Sequence, residues 1–158
     1  MQVMAQKGSI IKDTVDIIHI KEARIQSILD SLLQHEKQCD YYDSELILKI
    51  HIRRLNSDIL LVTFGSTSGF TTLGANQVMG GFNWKGHYTE VTGSEWIDTF
   101  FKKTNKKKEI ERYEPVNNYN SQTEEVYLEN IGESINTSWY YIYKNNRFYL
   151  KRKDSKCN

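Results

Sequence analysis

Residues 138–153 have the sequence SWYYIYKNNRFYLKRK, which is the clearest structural signal in the chain. Two runs that alternate aromatic and polar residues flank Asn145 and Asn146. Asparagine tolerates the positive φ angles of a two-residue hairpin turn better than most residues, so the stretch predicts a β-hairpin. The expected cross-strand pairs are Tyr143 with Phe148 and Tyr141 with Leu150.

A second hairpin is predicted nearer the middle of the chain. Residues 45–55, ELILKIHIRRL, have a period of two, with Leu48, Ile50 and Ile52 on one side of a half-buried strand. Residues 56–58 have the composition of a turn, and residues 59–64 are nearly all apolar. The two segments therefore predict an antiparallel pair.

The first predicted helix spans residues 21–38. Leucine and isoleucine recur there at spacings of three and four, with polar side chains on the other side, as in an amphipathic helix. Its start is open, because residues 15–20 are either a short strand or the first helical turns, with Asp13 or Asp16 as the cap.

A second helix is predicted from Thr92 to about residue 108. Thr92 and Glu95 have the spacing of a capping box. The apolar stripe that follows them consists of Trp96, Ile97, Phe100 and Phe101.

These elements define the expected fold class. Residues 65–81 predict a long loop, residues 82–91 a strand with Phe82, Trp84 and Tyr88 on one face, and residues 126–131 a short strand. We expect one α+β domain over residues 1–158, a mostly antiparallel sheet with two helices packed on one face. Residues 1–12 and 154–158 are expected to fray.

Composition excludes several classes of partner. The chain has 21 basic and 20 acidic residues, a net charge of +1, so no whole-molecule field attracts it to nucleic acid or a membrane. No apolar run reaches the roughly 18 residues of a membrane span, and no export signal is recognisable. We expect a soluble, cytoplasmic protein whose two cysteines, Cys39 and Cys157, are reduced thiols.

Known catalytic and metal motifs fail at the residues that chemistry requires. Residues 65–69 have Thr67 where a nucleophile elbow needs its serine, and residues 69–76 lack the lysine of a phosphate loop. The four histidines lie on four different predicted elements, so we expect no catalytic, cofactor or metal site. A metal site assembled from distant strands is the alternative left open.

One acid/base pairing needs the structure to decide it. Lys49 and His51 share the polar face of one predicted strand, and His87 and Glu90 lie near each other on another. If those strands are neighbours, a histidine and a carboxylate share one surface, which is the minimum for a general base. Polar residues on the solvated face of an antiparallel sheet give the same pattern without catalysis.

The C-terminal hairpin mixes bases with aromatic rings, as single-stranded nucleic-acid binders do. Its bases are Lys144, Arg147, Lys151, Arg152, Lys153 and Lys156. Another basic run, in residues 102–108, ends the predicted second helix, where the helix dipole favours lysine. Because lysine also protects an exposed sheet edge, and the net charge is near zero, we expect no nucleic-acid binding.

Residues 109–133 contain seven carboxylates and one base, and suggest a surface for a basic partner. The candidate contact residues are Glu109, Glu111, Tyr113, Glu114, Tyr119, Glu124 and Glu125. The function expected is a non-enzymatic protein-binding domain, for example an immunity-type inhibitor that neutralises a toxin. The alternatives are a small-molecule-binding or enzymatic domain with a pocket between sheet and helix, and a weak single-strand nucleic-acid binder.

Overall fold

The computed structural model describes residues 8–68, 78–94, 96–115 and 135–157. Those ranges form one helix and eight strands. The elements are β1 (Gly8–Ile20), α1 (Ala23–Glu36), β2 (Ile47–Arg54), β3 (Leu60–Thr67), β4 (Val78–Trp84), β5 (His87–Gly93), β6 (Phe101–Pro115), β7 (Ile135–Lys144) and β8 (Arg147–Ser155).

All eight described strands belong to one sheet, in the order β6-β1-β4-β5-β2-β3-β7-β8. The sheet is mixed, because β1 runs parallel to β4 and β2 parallel to β5. The expected fold class, two helices on a mostly antiparallel sheet, is therefore wrong: the described chain has one mixed sheet and one short helix.

The predicted second helix is a strand. Thr92 lies in β5, residues 98–100 form a turn, and β6 follows from Phe101, while Glu95 lies outside the described residues. β6 pairs with β1 from Phe101 to Pro115, and this long-range ladder outweighs a local helical pattern. The predicted burial of Phe100 is nevertheless confirmed, since its side chain has no exposed surface.

The predicted strand over residues 82–91 is two strands. Lys85 and Gly86 have φ angles of 51° and 95° and form the turn between β4 and β5. Tyr88 pairs with Asn83, so it lies on the face opposite Phe82 and Trp84. The expectation that these three aromatic residues share one face is therefore wrong. The signal for the turn was Gly86, but the apolar alternation continues through it and suggests one strand.

Parts of the loop and of the frayed ends expected from the sequence are strand in the structure. β3 extends to Thr67 and β4 begins at Val78, while residues 8–12 lie in β1 and β8 continues to Ser155. The short strand expected over residues 126–131 lies outside the described residues.

Both predicted hairpins are confirmed. β2 and β3 pair antiparallel from Ile47 with Thr67 to Arg54 with Leu60. β7 and β8 meet at Asn145 and Asn146, whose φ angles are 54° and 60°. The expected pairs of Tyr143 with Phe148 and of Tyr141 with Leu150 are both present.

The first predicted helix is confirmed as α1. Its N-cap is Glu22, whose side chain accepts a hydrogen bond from the Arg24 amide, so neither Asp13 nor Asp16 caps it. Both aspartates lie in β1. Ile25, Leu29 and Leu32 form the buried stripe of the helix.

The core lies between α1 and one face of the sheet. Its sheet side includes the even-numbered residues of β2 and of the first part of β3. Phe100, Tyr143 and Phe148 extend it towards the C-terminal hairpin, with ring centroids 4.8 Å apart for Phe100 and Tyr143. Among the described residues, the helix and the core therefore support β7 and β8 from one face of the sheet.

Candidate functional site

The acid/base group suggested by the sequence is divided between the two faces of the sheet. β2 and β5 are neighbours, and Lys49 lies beside Glu90, with Nζ 4.0 Å from Oε1. His87 lies on the opposite face, where its ring bonds the Leu46 carbonyl at 2.9 Å. His51 shares the face of Glu90, but its Nδ1 bonds Thr92 Oγ1 at 2.7 Å.

These contacts give each histidine a structural partner. His87 Nε2 also lies 2.7 Å from the Tyr42 hydroxyl, so both ring nitrogens of this buried residue are occupied. The His51 side chain is exposed. Its partial desolvation and the nearby charges of Arg53 and Lys49 lower its pKa. Of these two histidines, only His51 remains accessible to a substrate.

The acidic surface predicted for a basic partner is only partly within the described chain. Glu109 and Glu111 are exposed on β6, where Lys12 Nζ lies 3.8 Å from Glu109 Oε1. Tyr113 and Glu114 belong to the end of the same strand. Tyr119, Glu124 and Glu125 lie outside the described residues. The structure therefore places four of the seven candidates on one strand and leaves the grouping of all seven untested.

The basic run in residues 102–108 lies along β6, at one edge of the sheet, and not at a helix end. Lys107 Nζ bonds Asp16 Oδ1 at 2.6 Å, which lowers the pKa of that carboxyl. Lys103 and Lys108 lie over the rings of Trp96 and Tyr88, at 5.2 Å in each case. Three of these lysines are thus held by contacts within the fold.

The opposite edge strand, β8, exposes most of its length. Tyr149 and Leu150 are apolar side chains that are 43% and 47% exposed. The exposed bases of this strand are Arg147, Lys151, Arg152 and Lys153. Within the described ranges β8 pairs with β7 alone, so its outer row of peptide groups faces away from the sheet.

Two rings of the neighbouring strand β7 are covered by cations of β8. The Arg152 guanidinium lies 5.1 Å from the Tyr140 ring centroid, and Lys153 Nζ lies 4.0 Å from that of Trp139. Arg152 also bonds Asp154 Oδ2 at 2.6 Å. A nucleic-acid base has to displace these cations before it stacks on either ring.

A buried polar cluster at the end of α1 was not predicted. The Glu36 side chain has no exposed surface, and its Oε2 accepts from Thr137 Oγ1 at 2.8 Å and from the Tyr41 hydroxyl at 2.9 Å. Ser66 Oγ donates to Oε1, and His35 Nδ1 lies 2.7 Å from Oε2. The signal was available, because Glu36 continues the apolar stripe of Leu29 and Leu32.

Beside this cluster Cys39 and Cys157 form a disulfide, with Cα atoms 5.7 Å apart. The expectation of reduced free thiols is therefore wrong for this structure. Cys39 follows the end of α1 and Cys157 follows the end of β8, so the bond ties the helix to the edge hairpin.

A groove of about 250 Å³ lies between β1, α1 and β4. Ile18, Phe82 and Trp84 are its main apolar walls. His19 is the only titratable residue among those that line it, so the groove offers no acid/base pair.

No protein-family model, curated protein or solved structure matches this chain. The described helix is neither long nor apolar enough to cross a membrane. Function has to be inferred from the geometry alone.

Proposed function

We propose that the protein is a non-enzymatic domain that binds another protein, and that it does so by adding an extended segment of its partner to β8. The observation that carries the proposal is that β8, within the described ranges, pairs with β7 alone and exposes Tyr149 and Leu150 on its two sides. In β-strand addition, main-chain hydrogen bonds supply affinity and alternate side chains supply specificity.

The register of the hairpin identifies the peptide groups that are free to pair. In a two-residue hairpin the residues that flank the turn, Lys144 and Arg147, form a hydrogen-bonded pair, and the pattern then alternates. The amides of Phe148 and Leu150 therefore point away from β7. These two amides are where a partner strand would dock.

The charge of β8 selects the chemistry of the partner. The strand carries four exposed bases and one acid, Asp154, which is paired with Arg152. An extended acidic segment with alternate apolar residues complements this edge in both charge and shape. Lysine that merely protects the edge from aggregation is the competing explanation, and the experiment below distinguishes the two.

Two observations favour a protein segment over single-stranded nucleic acid. The exposed aliphatic side chain of Leu150 suits a peptide contact and gives a base nothing to stack on. Tyr140 is half-buried and Trp139 is buried, and Arg152 and Lys153 cover their rings, which leaves Tyr149 as the exposed ring of β8.

The enzymatic alternative lacks an accessible constellation among the described residues. The polar side chains around Glu36 enclose a carboxylate that has no exposed surface, and the groove near Trp84 has no acid/base pair. The immunity-type hypothesis depends on the acidic window of residues 109–133 and stays a proposal from the sequence. A cytoplasmic location stays a proposal too, and there the Cys39–Cys157 pair would be reduced.

A displayed library of random 12-residue peptides, selected on the immobilised protein, tests the proposal. Enriched peptides should be acidic with alternate apolar residues, and their affinity should fall in an Arg147→Glu/Lys151→Glu variant. Leu150→Pro should abolish binding without unfolding the protein, because proline removes an amide that points outwards. Lys106→Glu, an exposed charge reversal on β6, is the matched control and should bind normally.

Two results overturn the proposal. One is a selection that enriches no acidic peptide sensitive to Leu150→Pro. The other is sub-micromolar binding of a single-stranded oligonucleotide at about 0.15 M salt that is lost in a Lys151→Ala/Arg152→Ala variant, which favours the nucleic-acid alternative.

A further inference from the structure

Three side chains beside the buried cluster have the chemistry of metal ligands. His35, Cys39 and Cys157 each offer one ligand atom, and these atoms all lie within 4.8 Å of one another. In a tetrahedral zinc site with Zn–S of about 2.3 Å and Zn–N of about 2.0 Å, ligand atoms lie roughly 3.5 to 3.8 Å apart. The disulfide brings the two sulfurs closer than that, so only the reduced pair matches the spacing.

The third ligand, His35, has one ring nitrogen engaged by a carboxylate and the other left for coordination. His35 Nδ1 lies 2.7 Å from Glu36 Oε2, so the ring donates its Nδ1 proton to a carboxylate that has no exposed surface. This contact fixes the tautomer and leaves the Nε2 lone pair free to bind. Metal-ligating histidines almost always have such a carboxylate or carbonyl partner on the other ring nitrogen.

The surroundings hold the imidazole in this orientation. Thr137, Tyr41 and Ser66 hydrogen-bond the same carboxylate, so Glu36 is fixed by two strands and the chain beyond α1. The Trp139 ring packs edge-on against His35, with centroids 5.9 Å apart. The His35 side chain is 29% exposed, so an ion and a water molecule can reach the site from solvent.

We propose that the reduced protein binds one Zn²⁺ through His35 Nε2, Cys39 Sγ and Cys157 Sγ, with water at the fourth position. Two thiolates and a neutral imidazole neutralise the dication, and this mixed sulfur and nitrogen set suits zinc better than magnesium or calcium. Glu36 acts as a positioning residue and does not bind the metal. The site is distinct from the docking edge proposed above, and its failure leaves that proposal standing.

Reduction and binding are coupled by a simple balance. A cellular dithiol gives two electrons and two protons to the Cys39–Cys157 disulfide and becomes a disulfide itself. The two thiols then lose their protons when Zn²⁺ binds, because only thiolates coordinate. The same pair therefore closes as a disulfide under oxidising conditions and opens as a metal site under reducing ones.

Zinc titration of the reduced full-length chain tests the proposal. A water-soluble phosphine is the reductant, since it does not chelate zinc as a dithiol does; with one water it becomes the phosphine oxide and leaves two thiols. Competition with a chromophoric chelator gives the affinity, and a weakly buffered titration counts released protons. Co²⁺ in place of Zn²⁺ reports thiolate coordination through its charge-transfer absorption.

The expected result is one site per chain, with about two protons released per ion at pH 7 because free thiols have an ordinary pKa of about 8.5. Cys157→Ser and His35→Gln should each weaken zinc binding more than about 100-fold. The glutamine amide keeps donors for the Glu36 carboxylate, so the loss in His35→Gln reports the missing imidazole ligand. His19→Gln, an exposed histidine on β1, is the matched control and should change nothing. Circular dichroism establishes that each variant is folded.

Three results overturn the proposal. They are zinc affinity in the reduced wild type no greater than in Cys157→Ser, a Co²⁺ spectrum without thiolate bands, and equal affinity in the oxidised protein.

Discussion

Thr137 Oγ1 donates a 2.8 Å hydrogen bond to Glu36 Oε2, across 101 positions of sequence. Glu36 is the last residue of α1, and Thr137 lies in β7, next to the edge strand. Cys39 and Cys157 join the same two parts of the fold covalently. The end of the helix is therefore attached to the C-terminal hairpin by a buried polar group and a disulfide together.

Replacing Glu36 with glutamine should destabilise the protein. The amide presents donors to hydroxyls that now donate to a carboxylate, so at least one buried group loses its partner. The expected loss in the free energy of unfolding is about 2 to 4 kcal/mol, measured by urea denaturation. Gln34→Glu, an exposed change on the same helix, should stay within about 0.5 kcal/mol of wild type. Equal stability of Glu36→Gln and wild type would refute this role.

The hairpin turn should resist β-branched residues. Asn145 and Asn146 have φ angles of 54° and 60°, which valine adopts only with strain. Asn145→Val/Asn146→Val should lower the free energy of unfolding by roughly 2 to 4 kcal/mol. The matched variant with glycine at both positions should melt close to wild type, since glycine adopts positive φ freely. Similar melting of the two variants would contradict the turn assignment.

Phe100 should be a major contributor to the core. Its side chain is fully buried, and its ring lies 4.8 Å from Tyr143 and 5.6 Å from Phe148, centroid to centroid. Phe100→Ala should cost about 3 to 5 kcal/mol by thermal or chemical unfolding. Lys106→Gln on the exposed side of β6 should have little effect. A loss below about 1 kcal/mol in Phe100→Ala would show that the site is not core.

The protein should become less stable as the pH is lowered, because of His51. Its pKa is lowered in the folded state by partial burial and by Arg53 and Lys49, so the unfolded chain takes up the proton more readily. The stabilisation from its neutral form is complete above the ordinary histidine pKa of about 6.5 and decreases as the pH falls below that value.

Urea denaturation at about pH 7.5 and about pH 5 measures this dependence. His51→Gln keeps a hydrogen-bonding group near Thr92 and should lose less stability on acidification than wild type. His19→Gln should retain the wild-type dependence. If His51→Gln and wild type lose equal stability, another group is responsible.

Local patterns predicted the hairpins because both their turns and their pairings are short-range. Asn145 and Asn146 specify their own turn, and the alternation of β2 continues without interruption. The failures come from long-range pairing. Nothing within residues 92–108 indicates that this segment will pair with β1, about ninety positions earlier, and the lysines there suit a helix equally well.

The candidate sites show the same limit. An acid on an apolar helical stripe identifies Glu36 as unusual, but its partners come from β3 and β7 and are visible only in the folded chain. The disulfide could not be derived either, because two cysteines 118 positions apart pair only if folding brings them together. Topology decided both features.

Amide hydrogen exchange of β8, followed by NMR with and without a selected acidic peptide, tests the docking proposal most directly. The account predicts that the amides of Phe148 and Leu150 exchange rapidly in the free protein and become protected in the complex, while that of Lys106 is unchanged. Unchanged exchange at Phe148 and Leu150, with new protection at Glu109 and Glu111 on the opposite edge, would contradict it.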